Sequence, residues 1–354
     1  MGMCDDFPAG NQIIQLLGQE AKEKAIPLTG TFELTPRCNF DCKMCYVHLH
    51  ADKIPLYGRE LTADEWISIA EQAKAMGMLQ LCITGGEPIL HPEFKKIYKA
   101  LAQMGFFIIL QTNASTMTKD ILELLEEYPP QEVKLTIYGS NDAVYKEVCG
   151  VEKGFTRVDQ GIRSLQALKI PILAVTTIIK QNLADIGNIA AYCQKMRLPW
   201  IYTNSIKQSI RGAETDAKSV ELNESEVTDY REDVREMILH PTSRDTKPCE
   251  HCSGYRNSFW IMWNGKMQFC SFMTEPDISI HDNTFEEAWK KLIQYEEELQ
   301  WPEECQTCEI RRICQKCAGM LATMSGSATK VDPEYCEKLK KYVKEEMDRM
   351  EDEV

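Results

Sequence analysis

The chain has little of what a membrane-spanning or secreted protein needs. No apolar run approaches the ~18 residues of a spanning helix, and the opening stretch MGMCDDFPAG has neither the basic start nor the apolar segment of a secretory signal. The cytoplasm is therefore the expected address, with no membrane partner. Positive charge is scarce too: 40 Lys and Arg stand against 54 Asp and Glu, a net charge of -14. No basic stripe stands out, which argues against a nucleic-acid partner, since phosphate backbones are bound by cations that displace counterions. Long internal repeats and low-complexity tracts are missing. What remains, with 44% hydrophobic and 27% charged residues, is an ordinary globular composition in a chain long enough for a large core domain and a smaller appended one.

Cysteine, by contrast, is plentiful. There are 15, and most are clustered. Without a secretory signal, clustered cysteines point to metal rather than disulfides.

The first part of the chain alternates short β-branched runs with longer amphipathic segments, the pattern of strand–helix units around a parallel sheet. Strands are expected at Thr31 to Thr35, Leu79 to Thr84, Phe106 to Gln111, Glu132 to Ile137, Ile172 to Ile178 and Trp200 to Thr203. Helical patterns lie between them, roughly Thr62 to Met76, Pro92 to Met104, Lys119 to Glu127, Gly154 to Leu168 and Asn182 to Met196. Thr62 and Glu65 make a capping box. Six such units curve into most of a barrel and leave one side open to a large substrate. The expected fold is α/β, a partial (β/α)6 TIM-like barrel followed by a Cys-rich domain. Expected boundaries are an N-terminal extension 1–30, a core 31–204, a bridging region 205–248, a cysteine domain 249–340 and a helix end 341–354. A hairpin is expected within Ser258 to Phe272, turning at Asn264-Gly265 in a type I′ turn.

The segment PRCNFDCKMCY follows the first strand and spaces Cys38, Cys42 and Cys45 as C-x3-C-x2-C. Three thiolates in one loop fit a [4Fe–4S] cluster and leave one iron without a protein ligand, an open position where a substrate can bind. From spacing alone a zinc site completed by His48 or His50 stays open as well. The second strand runs into Gly85-Gly86-Glu87-Pro88. Two glycines permit close approach of the backbone to a ligand, and a carboxylate suits an ammonium group.

These two motifs together resemble the radical SAM superfamily. The resemblance implies that S-adenosylmethionine (SAM) binds the open iron, with Gly85, Gly86 and Glu87 at its amino group. Thr112, Asn113, Thr136 and Tyr138, at the ends of the third and fourth strands, are weaker SAM-contact candidates, since ligands of such folds gather at the carboxyl ends of strands. Met44 stands where the family commonly has an aromatic residue beside the adenine. The implied chemistry is reductive cleavage of SAM to a 5′-deoxyadenosyl radical that abstracts hydrogen from a substrate. No general acid or base is apparent, so the catalytic residues stay unassigned.

Eight cysteines fill the last third: Cys249, Cys252, Cys270, Cys305, Cys308, Cys314, Cys317 and Cys336. Their order resembles the SPASM extension of peptide-modifying radical SAM enzymes, with one residue fewer than usual between Cys314 and Cys317. By that resemblance Cys249, Cys252, Cys270 and Cys317 hold one auxiliary [4Fe–4S] cluster and Cys305, Cys308, Cys314 and Cys336 another, three clusters in all. A pair of structural zinc ribbons is the alternative. Cys82 and Cys193 read as buried core thiols. The resemblance implies a peptide maturase that forms a thioether or carbon–carbon crosslink, with a sulfatase-maturating (formylglycine-generating) enzyme as the nearest alternative and a non-catalytic zinc or electron-transfer protein as the rival from another class. Expected partners are a peptide or protein substrate, a separate leader-binding protein and an electron donor such as flavodoxin or ferredoxin.

Overall fold

The computed structural model describes residues 12–209, 212–222, 230–242, 246–250 and 252–353. Its first six strands fall where the periodicity places them: β1 (Thr29–Glu33), β2 (Gln80–Thr84), β3 (Phe107–Thr112), β4 (Glu132–Thr136), β5 (Ile172–Thr177) and β6 (Trp200–Thr203). Each pairs in parallel with its predecessor, and helices supply the long crossovers that parallel pairing requires. Thr62 and Glu65 form the expected capping box ahead of Ala63–Ala75. Thr284 and Glu287 do the same for Phe285–Glu298. Each box satisfies amides that a helix start leaves unpaired.

The sheet continues beyond these six. β7 (Ser258–Ile261) lies parallel to β1, aligning Thr29 with Ser258 and Phe32 with Ile261. β8 (Lys266–Gln268) and β9 (Ile278–Ser279) then add antiparallel strands, giving the order β6-β5-β4-β3-β2-β1-β7-β8-β9. The hairpin in the cysteine-rich part thus belongs to the same sheet as the barrel. Its turn is not type I′. Of the two turn residues only Gly265 has a positive φ, +83°. The Gly265 amide donates to the Met262 carbonyl at 2.9 Å, and the Met262 amide donates to the Lys266 carbonyl at 2.9 Å. This is a three-residue loop closed by a glycine bulge, which needs one left-handed position where type I′ needs two.

With β6 and β9 as edges the sheet stays open, a partial TIM-like barrel. Register separates its two faces. Phe32 turns toward the helices, with its ring 4.7 Å from that of Trp66 and 6.4 Å from that of Phe259. A Cβ on Gly30 would meet the Phe259 ring at 2.4 Å, so the helix-facing side is packed to contact. The opposite face carries Thr31, Gln111, Lys134 and Thr136, which are only half-buried. The same face also holds Glu33, Cys82, Thr84 and Ile109, all buried, so the concave side is open only in part, and its open part is polar. No helix among the described residues is long and apolar enough to cross a membrane.

Candidate active site

β1 leads directly into the loop that carries Cys38, Cys42 and Cys45, and backbone bonds anchor that loop from both sides. On the side of β2, the Gly86 amide donates to the Thr35 carbonyl at 2.8 Å and the Glu87 amide to the Arg37 carbonyl at 2.7 Å. A Cβ on Gly85 would lie 2.6 Å from the Thr35 oxygen, and one on Gly86 2.5 Å from the Arg37 oxygen. The two glycines therefore admit the protein's own loop; the sequence implies approach to a ligand, and the structure shows a backbone neighbour. On the other side, the Asp41 amide donates to the Cys149 carbonyl at 2.9 Å and the Lys43 amide to the Val148 carbonyl at 3.0 Å. Thr215 Oγ1 donates to the Cys45 carbonyl at 2.7 Å. Arg37 grips Glu60 with Nε and Nη2, at 2.9 and 2.8 Å from Oε2, and Thr35 donates to the same carboxylate.

The loop gathers the three thiols. Burial raises the Cys38 thiol far above its ordinary range, and Glu87, Cys42 and Cys45 add to the effect. Cys42 is raised first by a hydrogen bond with Cys149 and then by burial. Cys149, the last residue of helix Asp142–Cys149, is thus part of the site. Neither that helix nor this contact is apparent from periodicity. His48, the alternative zinc ligand, has its Nδ1 3.6 Å from Asp41 and its ring 5.1 Å from that of His50.

Glu87 is the hub. It is fully buried and accepts from the Asn113 amide at 2.7 Å, Thr112 Oγ1 at 2.8 Å and the Ile89 amide at 3.3 Å. Burial pushes its carboxyl up to about 7 against those donors, with no cation among the groups that act on it. A buried carboxylate lacking a cation is costly unless one arrives. Asn113 reaches on, its Nδ2 2.9 Å from Asn39 Oδ1 and 3.9 Å from Cys38 Sγ, while its Oδ1 accepts from Ser115 Oγ at 2.7 Å. Asn39 and Ser115 are members that sequence reasoning missed; an Asn-x-Ser pair at a strand end carries too common a turn signal to single out. Tyr138 is half-buried, within electrostatic reach of Cys42, Cys45 and Cys149, and burial raises its hydroxyl. Thr136 stays half-buried on the concave face, and Met44 packs into the main core.

The eight C-terminal cysteines separate into two groups. Cys249 is within reach of Cys252, Cys270 and Cys317, and Cys305 of Cys308, Cys314 and Cys336. Burial raises Cys249, and pushes Cys305 up to about 11. Cys317 opens helix Ala318–Ser325, where the Met320 and Gly319 amides favour its thiolate against the larger effect of burial. Among the described residues no three potential ligands stand at single-ion spacing. Sets made of thiols alone are the donor chemistry of iron–sulfur clusters. Three thiols beside an uncompensated carboxylate fit a cluster with an open iron and a ligand bearing an ammonium. The sets of four fit fully ligated clusters.

Residues 32–193 match the Radical SAM superfamily model. The AdoMet-dependent heme synthase of Methanosarcina barkeri is 23% identical over 86% of this chain and 95% of its own length. The PqqA peptide cyclase of Ruegeria pomeroyi is 28% identical over 48% of this chain and 45% of its own. Among solved structures, Streptococcus suis SuiB bound to S-adenosylmethionine shares the fold, with a TM-score of 0.67 at 16% identity over 88% of this chain and 78% of that one. SuiB bound to the precursor peptide SuiA aligns with a TM-score of 0.64 at 16% identity over 90% and 79%. With the motif loop, the carboxylate hub and the paired cysteine groups in place, residues 32–193 form a radical SAM superfamily domain and the chain is a radical SAM enzyme.

Proposed function

We propose that this enzyme is a peptide maturase that joins two residues of a peptide through a thioether or carbon–carbon bond. The observation that carries the reading is the open concave face, where Thr31, Gln111, Lys134 and Thr136 stay half-buried while the helix side is sealed. A surface of that kind suits an extended polar chain better than a small apolar ligand. The peptide cyclase relative and the peptide-bound SuiB structure support it.

In this reading Cys38, Cys42 and Cys45 hold the SAM-binding cluster, and the two C-terminal sets of four hold auxiliary clusters within the proposed domain 249–340. When bound, the first cluster and SAM supply the reductive carbon–sulfur cleavage that yields a 5′-deoxyadenosyl radical. The chain's residues bind and orient. Glu87 takes the SAM ammonium, while Thr112 and the Asn113 amide hold its carboxylate in one orientation, so that part of the positioning entropy is spent in folding. Tyr138 and Thr136, one strand further on, would contact the bound SAM. A flavodoxin or ferredoxin supplies electrons, and a separate leader-binding protein presents the substrate.

A second reading is favoured by one observation: the heme synthase relative matches over 86% of the chain, the cyclase over only 48%. One experiment separates them. The protein is reconstituted anaerobically with iron and sulfide, then given dithionite, SAM and synthetic copies of the small peptides encoded beside its gene. A peptide lighter by two hydrogens, formed only with SAM, supports the maturase. SAM cleavage with every peptide unchanged, and heme appearing from a tetrapyrrole precursor, replaces it with the second reading. Formylglycine in a Cys-x-Pro-x-Arg peptide would point to the sulfatase-maturating alternative.

A further inference from the structure

Lys207, beyond the end of β6, has no role in the site described so far. Its ammonium donates to Ser205 Oγ at 2.6 Å, lies 2.8 Å from Met320 Sδ and sits 5.9 Å from the centre of the Phe272 ring. All three partners are neutral. The charged groups acting on it are Lys316, Cys317, Glu221 and Cys270, and Glu221 forms no ion pair with it among the described residues. A half-buried ammonium with no partner anion among the described residues is unfavourable.

Two of those groups belong to the first set of four cysteines. Cys317 opens helix Ala318–Ser325, whose Met320 touches Lys207. Cys270 lies against the same helix, its sulfur 3.1 Å from where a Cβ on Gly319 would stand. Phe272 also meets Tyr46 with ring centroids 5.2 Å apart, and Tyr46 directly follows Cys45. Lys207 is therefore packed where the barrel, the first cysteine loop and the C-terminal cysteines meet.

We propose that Lys207 is the fixed countercharge of an iron–sulfur cluster held by Cys249, Cys252, Cys270 and Cys317, and that it makes this cluster a better electron acceptor. The proposal rests on the cluster assignment above. A cluster bound by four thiolates is already anionic, and accepting an electron adds one more negative charge. A nearby ammonium in a half-buried setting favours the reduced form over the oxidised one, which raises the reduction potential. The electron balance is simple. Hydrogen abstraction leaves a carbon radical on the substrate, the new carbon–sulfur or carbon–carbon bond closes on it, the attacking group's proton leaves to solvent, and the surplus electron passes to the auxiliary cluster. Lys207 is a positioning charge in this scheme and touches no reacting atom.

The test uses the full chain carrying Cys38→Ala, Cys42→Ala and Cys45→Ala, so that the remaining paramagnetic signals belong to the C-terminal sets. Iron and sulfide are counted, and the midpoint potentials are followed by electron paramagnetic resonance during a redox titration, with Lys207 intact, as Lys207→Gln and as Lys207→Arg. The expected result is full iron content in all three, a lower midpoint for one of the two signals in Lys207→Gln, and its recovery in Lys207→Arg. An unchanged midpoint at full iron content overturns the role of Lys207 and leaves the cluster assignment standing. So does an equal fall in Lys207→Arg, which would show that packing, not charge, is what was lost. Absence of iron from the parent chain overturns both, and the iron count alone tells the cases apart. Should Lys207→Gln lose its iron, Lys207→Met at the same position decides by the same readings.

Discussion

The two cysteine-bearing regions are built on opposite plans. In the first, three thiols share one short loop, and the remaining groups arrive one per strand end: Glu87 beyond β2, Asn113 beyond β3, Tyr138 beyond β4. In the second, thiols from distant stretches, Cys249 with Cys317 and Cys305 with Cys336, complete sets of four. Strand ends converge on a place that stays accessible from the open end of the sheet, whereas segments tied together by complete ligand sets leave no coordination position free. In the proposed reading, that difference makes the first region the one that binds a reactant and the second the one that stores or passes electrons.

The largest effect should come from removing one thiol in each region. Cys45→Ala should abolish 5′-deoxyadenosine formation, measured by chromatography after reduction with dithionite. Cys314→Ala should leave most of that formation in place and eliminate the modified product. Equal loss of SAM cleavage in both variants would erase the contrast between them.

Next in size is Glu87→Gln. The variant keeps the shape of the hub and loses its charge. Breaking a buried charge pair costs about 2–5 kcal/mol, so SAM affinity should weaken by about 30-fold or more, read by calorimetry on the reconstituted protein. Binding unchanged from the parent would mean that the ammonium lies elsewhere. Gly86→Ala tests the loop in another way, through sterics. Its Cβ would stand 2.5 Å from the Arg37 oxygen, and overpacking of this kind costs about 1–3 kcal/mol. The melting temperature should fall by several degrees and iron retention with it, while a glycine with open space around it, Gly18, should accept alanine without loss.

Much of this was legible in the residues. The six strands come from alternation and β-branched runs, since burial on the helix side leaves a strong local imprint in Phe32, Ile83 and Leu110. The three-cysteine loop and Gly-Gly-Glu-Pro lie within single loops, so spacing suffices to find them. What was not legible is non-local. That β7 would pair in parallel with β1 depends on two segments more than 200 residues apart, and nothing in Ser258 to Ile261 records its partner. The Cys42 to Cys149 contact and the Asn39, Asn113 and Ser115 cluster have the same origin: polar residues common in turns acquire meaning only when separate strand ends meet. Lys207 is the extreme case, an unremarkable lysine in a polar stretch whose surroundings come from three parts of the chain.

The smallest predicted effect compares two buried carboxyls, one in each region. Glu87 is pushed up to about 7 and Glu296, near Cys249, up to about 8, each by burial first. A carboxyl held above its ordinary value keeps its proton in the folded chain after the unfolded chain has released it. Each therefore lowers the stability of the SAM-free protein as pH rises from the usual carboxylate range through 7 or 8, by on the order of 1 kcal/mol per pH unit. SAM should relieve only the first. Its ammonium would bring the Glu87 pKa down, so a proton should be released on binding near pH 6.5, visible as a buffer-dependent heat in calorimetry. Thermal protection by SAM should grow from pH 5.5 to 7.5. Glu87→Gln should abolish both the proton release and that growth, while Glu296→Gln should flatten the pH dependence of the SAM-free protein and leave SAM's own contribution as it was. Proton release that survives Glu87→Gln would place the responding group outside the hub.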